Sequence, residues 1–518
     1  MRINRKSFLT LTAAGAAGAL VPADLGAAPQ AAPAGTKPKQ QQAAIKGTTD
    51  AIASFIATAS LRRMPAEAIE QAKRCLVDGF GVILAGSTLQ GSAIVREYVR
   101  RAGDRREATI LGASAFMAPV PSAALVNGAS GHAMDFDDTQ LSSTPDRTYG
   151  LLTHPTVPAL AAALAVAERQ GASGAAFLEA FLVGFEVECK IAEAIDPDHY
   201  LRGFHSSGTI GTFASAAAAA KLMQLGDAQI RHMLAIAASL SSGIRVNFGS
   251  MTKPLHVARA SENGIFAAEL AAKGFTGGGD GLDGPWGFFQ VFGGGADIDR
   301  VVGVMGRPYS IVTPGISVKP YPSGVLSHPS MDAMLKLVVD ADVKPDQIEA
   351  VRLRAGSNIL EPLRYKTAKT ELEAKFCVPF LLSSIAIRRK AGVREFTDEF
   401  VSSAPVQQMM ARVTTIFDGA IEARGFDKIR SIVEIDLRDG RRLVQASDDR
   451  YRGGPDRPFT RQELHEKFTD CAQLTMSADR IPPAIAQIEA IDTLKDVRLL
   501  ARALASPDEP ASGRKFEV

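Results

Sequence analysis

From about Ala44 to Gly274, apolar residues recur at three- and four-residue spacing, the period of helices that bury one face. Alanine runs such as Ala216 to Ala220 carry little side-chain volume, so these helices are expected to pack closely. Between Gln347 and Val444 the pattern turns to alternation, with Ile348, Ala350, Arg352 and Arg354, then Ser431-Ile-Val-Glu-Ile-Asp-Leu437. Asp439-Gly440 parts that last run from one starting near Arg441 with Leu443 and Val444, which predicts a hairpin. After Pro455 the helical period returns, opening on Thr460-Arg-Gln-Glu463, the spelling of a capping box, and running to about Leu504. The three stretches predict a mainly α protein with no internal repeat. A large helical domain is formed by N- and C-terminal parts (44–310 and 455–518), and a smaller α+β domain (311–454) is inserted between them.

The first 34 residues read differently. Arg2, Arg5 and Lys6 precede an apolar run from Leu9 to Val21 that is too short to span a bilayer, and Ala32-Pro33-Ala34 offers a cleavage site. Asn4-Arg5-Lys6-Ser7-Phe8-Leu9 resembles a twin-arginine export signal with lysine as the second basic residue. This predicts export, to a periplasm, with no stable membrane insertion once the signal is removed; a cytoplasmic protein is the alternative. Residues 35–43 read as a linker.

Composition narrows the chemistry. With 518 residues, 46% of them hydrophobic, the chain can bury a large core. Its 58 basic and 56 acidic residues nearly cancel, so no basic surface for nucleic acid is expected. Cys75, Cys189, Cys377 and Cys471 are never close enough in sequence to form a zinc ribbon, a redox dithiol or an iron–sulfur motif.

Several short motifs compete for the functional site. Gly279-Asp-Gly281-Leu-Asp-Gly284 spells a dinucleotide fingerprint but follows a helix instead of a strand, so it reads as a loop. Ser250-Met-Thr-Lys253 with Ser261-Glu-Asn263 matches two elements of penicillin-interacting serine enzymes, in which lysine activates serine; the third is missing, since Lys366-Thr-Ala368 lacks the glycine. Asp135, Asp137 and Asp138 crowd three carboxylates into the stretch Asn127-Gly-Ala-Ser-Gly-His132-Ala-Met-Asp-Phe-Asp-Asp-Thr139. Such a cluster needs a cation, donors or solvent, and a magnesium site is one way to meet that need. His154-Pro155, His328-Pro329 and Gly203-Phe-His205 put histidines at element ends, where they can face a cleft. Lys253-Pro254 and Lys319-Pro320 place lysines where an anion could be met.

Taken in order along the chain, these motifs resemble those of the MmgE/PrpD family, which includes 2-methylcitrate dehydratase and cis-aconitate decarboxylase. The resemblance rests on the 127–139 stretch, His154-Pro, Gly-Phe-His205, Thr-Lys253-Pro-Leu-His256, Lys319-Pro-Tyr-Pro-Ser323 and Glu373-Ala-Lys-Phe. It implies a helical domain with the smaller domain as a lid, a site between them, a homodimer, and neither metal nor organic cofactor. The substrate it implies is a small di- or tricarboxylate. Carried over residue by residue, it places Asp135, His154 and His205 in the chemistry and Thr139, Lys253 and Lys319 in substrate binding, with His132, His256 and His328 as further candidates. Proton traffic is expected at His154 and Asp135, and anion binding at the lysines. Two departures weigh against the decarboxylase: the long 140–153 segment with Arg147 and Tyr149, and Phe380 where decarboxylase relatives place a tyrosine. The expected activity is a cofactor-independent lyase, most simply a dehydratase of the 2-methylcitrate type, with a decarboxylase or an epimerase on the same scaffold as the alternative. A serine hydrolase using Ser250 and Lys253, and a polycarboxylate-binding protein without turnover, are the readings from other classes.

Overall fold

The computed structural model describes residues 45–506 apart from positions 102, 104, 148, 149 and 151; the expected signal (1–34), the linker (35–43) and Tyr149 fall outside them. Long helices Ala66–Gly86, Val120–Ala133, Thr156–Gln170, Gly174–Ile195, Gly211–Met223 and Thr252–Ala272 share one apolar core. The C-terminal helices Arg461–Ala472, Ile481–Glu489 and Arg498–Leu504 contribute Leu464, Phe468, Ile485, Ile488 and Leu500 to the same core. Small residues let these helices close up. A Cβ at Gly264 would sit 2.4 Å from the Ala216 nitrogen, so helix 252–272 rests directly on the backbone of helix 211–223. Thr460 and Glu463 do cap the helix that follows them, the Thr460 hydroxyl accepting from the Glu463 N–H at 3.2 Å and the Glu463 carboxylate accepting from the Thr460 N–H at 2.9 Å.

A second apolar core is built on a four-stranded sheet ordered Val413–Phe417, Ile348–Ala355, Ser431–Leu437, Arg442–Ala446. The first pair is parallel and the others antiparallel. Strand 431–437 turns back through Gly440 at φ 88°, in the left-handed region, pairing Asp436 with Arg442. Helices His328–Asp340, Val378–Arg388 and Ala404–Met410 pack into this core, which also takes in Leu141, Leu152 and Tyr200 from the helical part.

Two sequence expectations need correction. The alternation beginning at Ile348 does not hold one phase: the pairing with strand 431–437 shifts between Ile348 and Ala350, so Val351, Leu353 and Ala355 point inward. Arg352 and Arg354 lie on the other face, paired with Glu434, Asp436 and Asp418. The stretch read as purely helical also contains the short pair Ala108–Ile110 and Phe116–Ala118, and Gly112–Ala113, which runs parallel to Ala505–Ser506. Strands of two or three residues are too short to impose a period on sequence. Among the described residues no helix is long and apolar enough to cross a membrane.

Candidate active site

The site is organised around the end of helix Val120–Ala133. Gly131 lets this helix press against helix Thr156–Gln170; a Cβ there would meet Val157 Cγ1 at 2.5 Å. The helix stops at Met134, and Asp135 turns the chain through φ 51°, a left-handed conformation rare outside glycine that is over-determined here by its partners. Three buried lysines from distant segments hold the freed carbonyls: Lys375 Nζ donates to Ala133 O at 2.9 Å, Lys319 Nζ to Asp135 O at 2.9 Å, and Lys467 Nζ to Phe136 O at 2.9 Å. Cations suit the negative end of the helix dipole.

The side chain of Asp135 gathers two of the expected residues. Its Oδ1 accepts from Lys253 Nζ at 2.8 Å and from Lys319 Nζ at 2.8 Å, while Oδ2 is buried without a partner. Lys253 Nζ also donates to His132 Nε2 at 2.8 Å. Since an ammonium can only donate, Nε2 accepts, and His132 carries its proton on Nδ1, which donates to Asp137 Oδ2 at 2.8 Å. The rings of Phe248 and Phe376 lie 5.3 and 5.7 Å from the Lys253 ammonium, walling it with apolar surface.

His154 and His205 join the same cluster. Their ring centroids lie 4.8 and 5.3 Å from that of His132. His154 Nδ1 donates to the Asp138 carbonyl at 2.7 Å, which leaves its Nε2 free for chemistry, and its N–H rests on Ser207 Oγ at 2.9 Å. His205 Nδ1 meets His256 Nδ1 at 3.0 Å, and its Nε2 is buried without a partner. Thr139 is fully buried beside them, its hydroxyl donating to Thr153 O at 3.0 Å and its backbone paired with Ser317. That contact ties the Asp135 loop to the segment leading into His154.

Electrostatics follow from burial and from the two lysines. Burial pushes the Asp135 carboxyl up, but Lys253, Lys319 and the adjoining His154 and His132 together hold it well below the usual range. Asp137 behaves alike through His132 and His154. Asp138 has no such cation; the Thr156 hydroxyl at 2.6 Å and the Thr156 N–H at 3.4 Å donate to it, and burial lifts it to about 8. Burial, reinforced by the lysine charges, depresses His154 and His205 well below their normal value. Lys253 is itself lowered by burial, with Asp135 opposing.

The three aspartates therefore diverge to three different partners and do not converge on one cation. A ring nitrogen from each of His132, His154 and His205 lies within 4.8 Å of the others, close enough to hold a metal ion. To ligate it, His132 would have to release Lys253, beside a pair of ammonium groups; that donor set suits an anion better than a cation.

Other expectations resolve as follows. The Ser250 hydroxyl donates to Asn247 O at 2.7 Å, while the Lys253 ammonium is held by His132 and Asp135, so no lysine is set to activate that serine. His328 sits at the start of its helix with Nε2 3.3 Å from Ser323 Oγ, its ring against Tyr321 and its Nδ1 buried without a partner. The 279–284 loop clamps another helix, Asp283 accepting from the Thr48 and Thr49 N–H groups at 3.1 and 3.0 Å. Phe380 is fully buried against the rings of Phe396 and Phe400, in the second core, so its missing hydroxyl says nothing about the site. Arg147 is half-buried among the charges of Arg300, Asp146 and Asp198. Sequence reasoning quoted Lys375 and Phe376 only as part of a motif and passed over Phe248; a lysine inside Glu371-Leu-Glu-Ala-Lys-Phe looks like an ordinary charged helix face until its carbonyl partner is seen.

The fold is mainly helical and buries two ammonium groups and a cluster of imidazoles around one carboxylate. Sequence models of the MmgE/PrpD N-terminal domain match residues 50–301, and those of the MmgE/PrpD C-terminal domain match residues 321–490. The chain belongs to the MmgE/PrpD family. It is similar to the human protein named cis-aconitate decarboxylase, with 27% identity over 90% of this chain and 96% of that one. The mouse protein of the same name is 26% identical over 89% and 94%, and the one from Aspergillus terreus 23% identical over 91% and 99%.

Proposed function

We propose that this protein is a lyase acting on a small polycarboxylate through side chains alone, and that the bond it breaks is the one to a departing carbon dioxide, as on a substrate of the cis-aconitate kind. The observation that carries the reading is the double engagement of Asp135 by Lys253 and Lys319 beside His154 and His205. Each ammonium can turn from Asp135 to a substrate carboxylate in a water-poor cleft, where such pairing is strong. When the C–C bond breaks, its electron pair stays on carbon and is delocalised toward a neighbouring carboxylate held by a lysine. An imidazolium formed when the substrate binds then returns a proton to that carbon, so that one proton is consumed for each carbon dioxide released. The names of the relatives support this outcome, and the burial of Phe380 removes one of the two sequence reasons for preferring loss of water.

The test is proton NMR of the protein incubated with cis-aconitate, 2-methylcitrate or citrate in the presence of chelator. Carbon dioxide loss from cis-aconitate or a close analogue supports the proposal. Loss of water instead would make the protein a hydro-lyase on the same site. Tight binding with no turnover of any of the three would make it a binding protein. Export and homodimer formation remain part of the proposal, to be checked by cell fractionation and by light scattering of the purified protein.

A further inference from the structure

His205 and His256 face each other through the same ring atom, Nδ1 to Nδ1, at 3.0 Å. Two lone pairs repel and two N–H groups clash, so this contact needs one proton between the rings, with one histidine as donor and the other as acceptor. The outer nitrogens decide which. His205 Nε2 is sealed in the site with no partner. His256 is only half-buried, so its Nε2 can give a proton to water. An orphaned N–H in the interior costs more than a bare lone pair, and a second positive dipole beside the Lys253 ammonium costs more again. The groups facing His205 are Lys253, His132, His154 and His256, with the edge contact to Phe248; none of them, the bare Nε2 of His154 included, is hydrogen-bonded to His205 Nε2.

We propose that His256 is a positioning residue: it accepts the Nδ1 proton of His205, fixes His205 as that tautomer, and leaves His205 Nε2 as the bare nitrogen through which a proton enters and leaves the site. When Nε2 takes up a proton, the resulting imidazolium keeps its Nδ1–H on His256, so the ring gains and gives up a proton without turning. This is the relation of an orienting group to a catalytic base. The pairing is built into the fold. His256 lies on helix Thr252–Ala272, just after Lys253, and a Cβ at Gly208 would stand 2.7 Å from the Cβ of His256, one at Gly243 3.1 Å from its ring. The carbonyl of Gly243 accepts the His205 N–H at 3.1 Å. The inference rests on the proposed lyase reading for what the proton does, but not for where it sits.

The test is two-bond proton–nitrogen correlation NMR of the full protein labelled with ¹⁵N-histidine, with the His205 signals assigned by their loss in His205→Asn. The expected wild-type pattern is a protonated Nδ1 and an unprotonated Nε2 on His205. A His205 protonated at Nε2 overturns the proposal, and needs no substrate. With the substrate that turns over, His256→Phe, confirmed folded by its melting curve, should lower kcat about 10- to 100-fold with KM within about twofold, and should lose the single tautomer. His256→Asn, whose amide oxygen can accept where Nδ1 stood, should recover most of that rate. A His256→Phe protein that keeps both the tautomer and kcat overturns the proposal. Failure of every polycarboxylate to react would sink the lyase reading while leaving the tautomer result to stand or fall separately.

Discussion

Lys319 grips Asp135 twice, donating to its carboxylate at 2.8 Å and to its own carbonyl at 2.9 Å. One side chain thus fixes both the left-handed turn and the charge that the turn presents. Removing it should leave Asp135 with Lys253 alone and a free carbonyl in the interior. Lys319→Ala is expected to cost about 3–5 kcal/mol in stability, the range for breaking a buried ion pair, read from the urea midpoint. An unchanged midpoint would mean that water or another cation replaces the contact.

Lys253 has the other half of the charge but no backbone duty. Lys253→Ala is therefore expected to act mainly on turnover, lowering kcat/KM at least tens-fold, or about 2 kcal/mol, if the ammonium meets charge developing in the transition state. Unchanged kinetics would remove it from the site.

Charge balance makes a further demand. Within the cluster Lys253 and Lys319 are matched by Asp135 and Asp137, while His154, His205 and His328 are held neutral by burial and by the lysines. A polycarboxylate brings negative charge with no counterpart, which raises these histidines toward protonation. Binding should thus take up protons at pH 7, and affinity should fall as pH rises. Calorimetric titration in two buffers of different ionisation enthalpy measures the uptake; an enthalpy independent of buffer would make the imidazoles bystanders.

Much of this was legible beforehand, for identifiable reasons. The long helices carry a sustained period, and the 439–440 turn and the Thr460 cap depend on local residues alone. The site histidines and lysines stood out through proline and glycine neighbours. What sequence could not give was partnership across the chain. That Lys375 and Lys467 hold carbonyls of the 133–136 loop, and that Asp137 and Asp138 face opposite electrostatic fates, depends on contacts between segments far apart in sequence. The phase shift near Ile348 and the parallel strand 413–417 are likewise properties of pairing, not of pattern.

Asp138 offers a stability test. Burial lifts its folded-state value to about 8 from the ordinary aspartate value of 3.8. Between those values the folded protein keeps a proton that the unfolded chain releases, so stability is greatest at the acid end and declines as pH rises toward 8. Asp138→Asn, which can still accept from Thr156, should make the fall in melting temperature between pH 5 and 8 shallower. Glu188, also raised by burial, keeps the slope from vanishing. An identical slope in the variant would show that Asp138 is ionised in the folded protein.

Ser250 should be dispensable. Its hydroxyl serves the turn that opens helix Thr252–Ala272, donating to Asn247 O and accepting from the Thr252 N–H at 3.3 Å. Ser250→Ala is expected to keep kcat within about twofold, and a β-lactam probe should not label the protein. Covalent labelling at Ser250 would restore the hydrolase reading.

One close contact lies directly behind the chemistry of the site. Gly131 sits one residue before His132, and an added methyl there would fall 2.5 Å from Val157 Cγ1 and 2.9 Å from Cγ2, both in the fully buried core. Neither helix can yield cheaply, because Val157 opens the helix reached from His154-Pro155. Gly131→Ala should cost about 1–3 kcal/mol through overpacking. It should also move His132, and with it the partner of Lys253, so that kcat falls by more than the stability loss alone would predict. Adding Val157→Ala removes the two methyls that clash, at the cost of a small cavity. The double variant is expected to regain activity over Gly131→Ala even if it is no more stable than the single change. Recovery of stability without activity would mean that the helix end, once displaced, does not return.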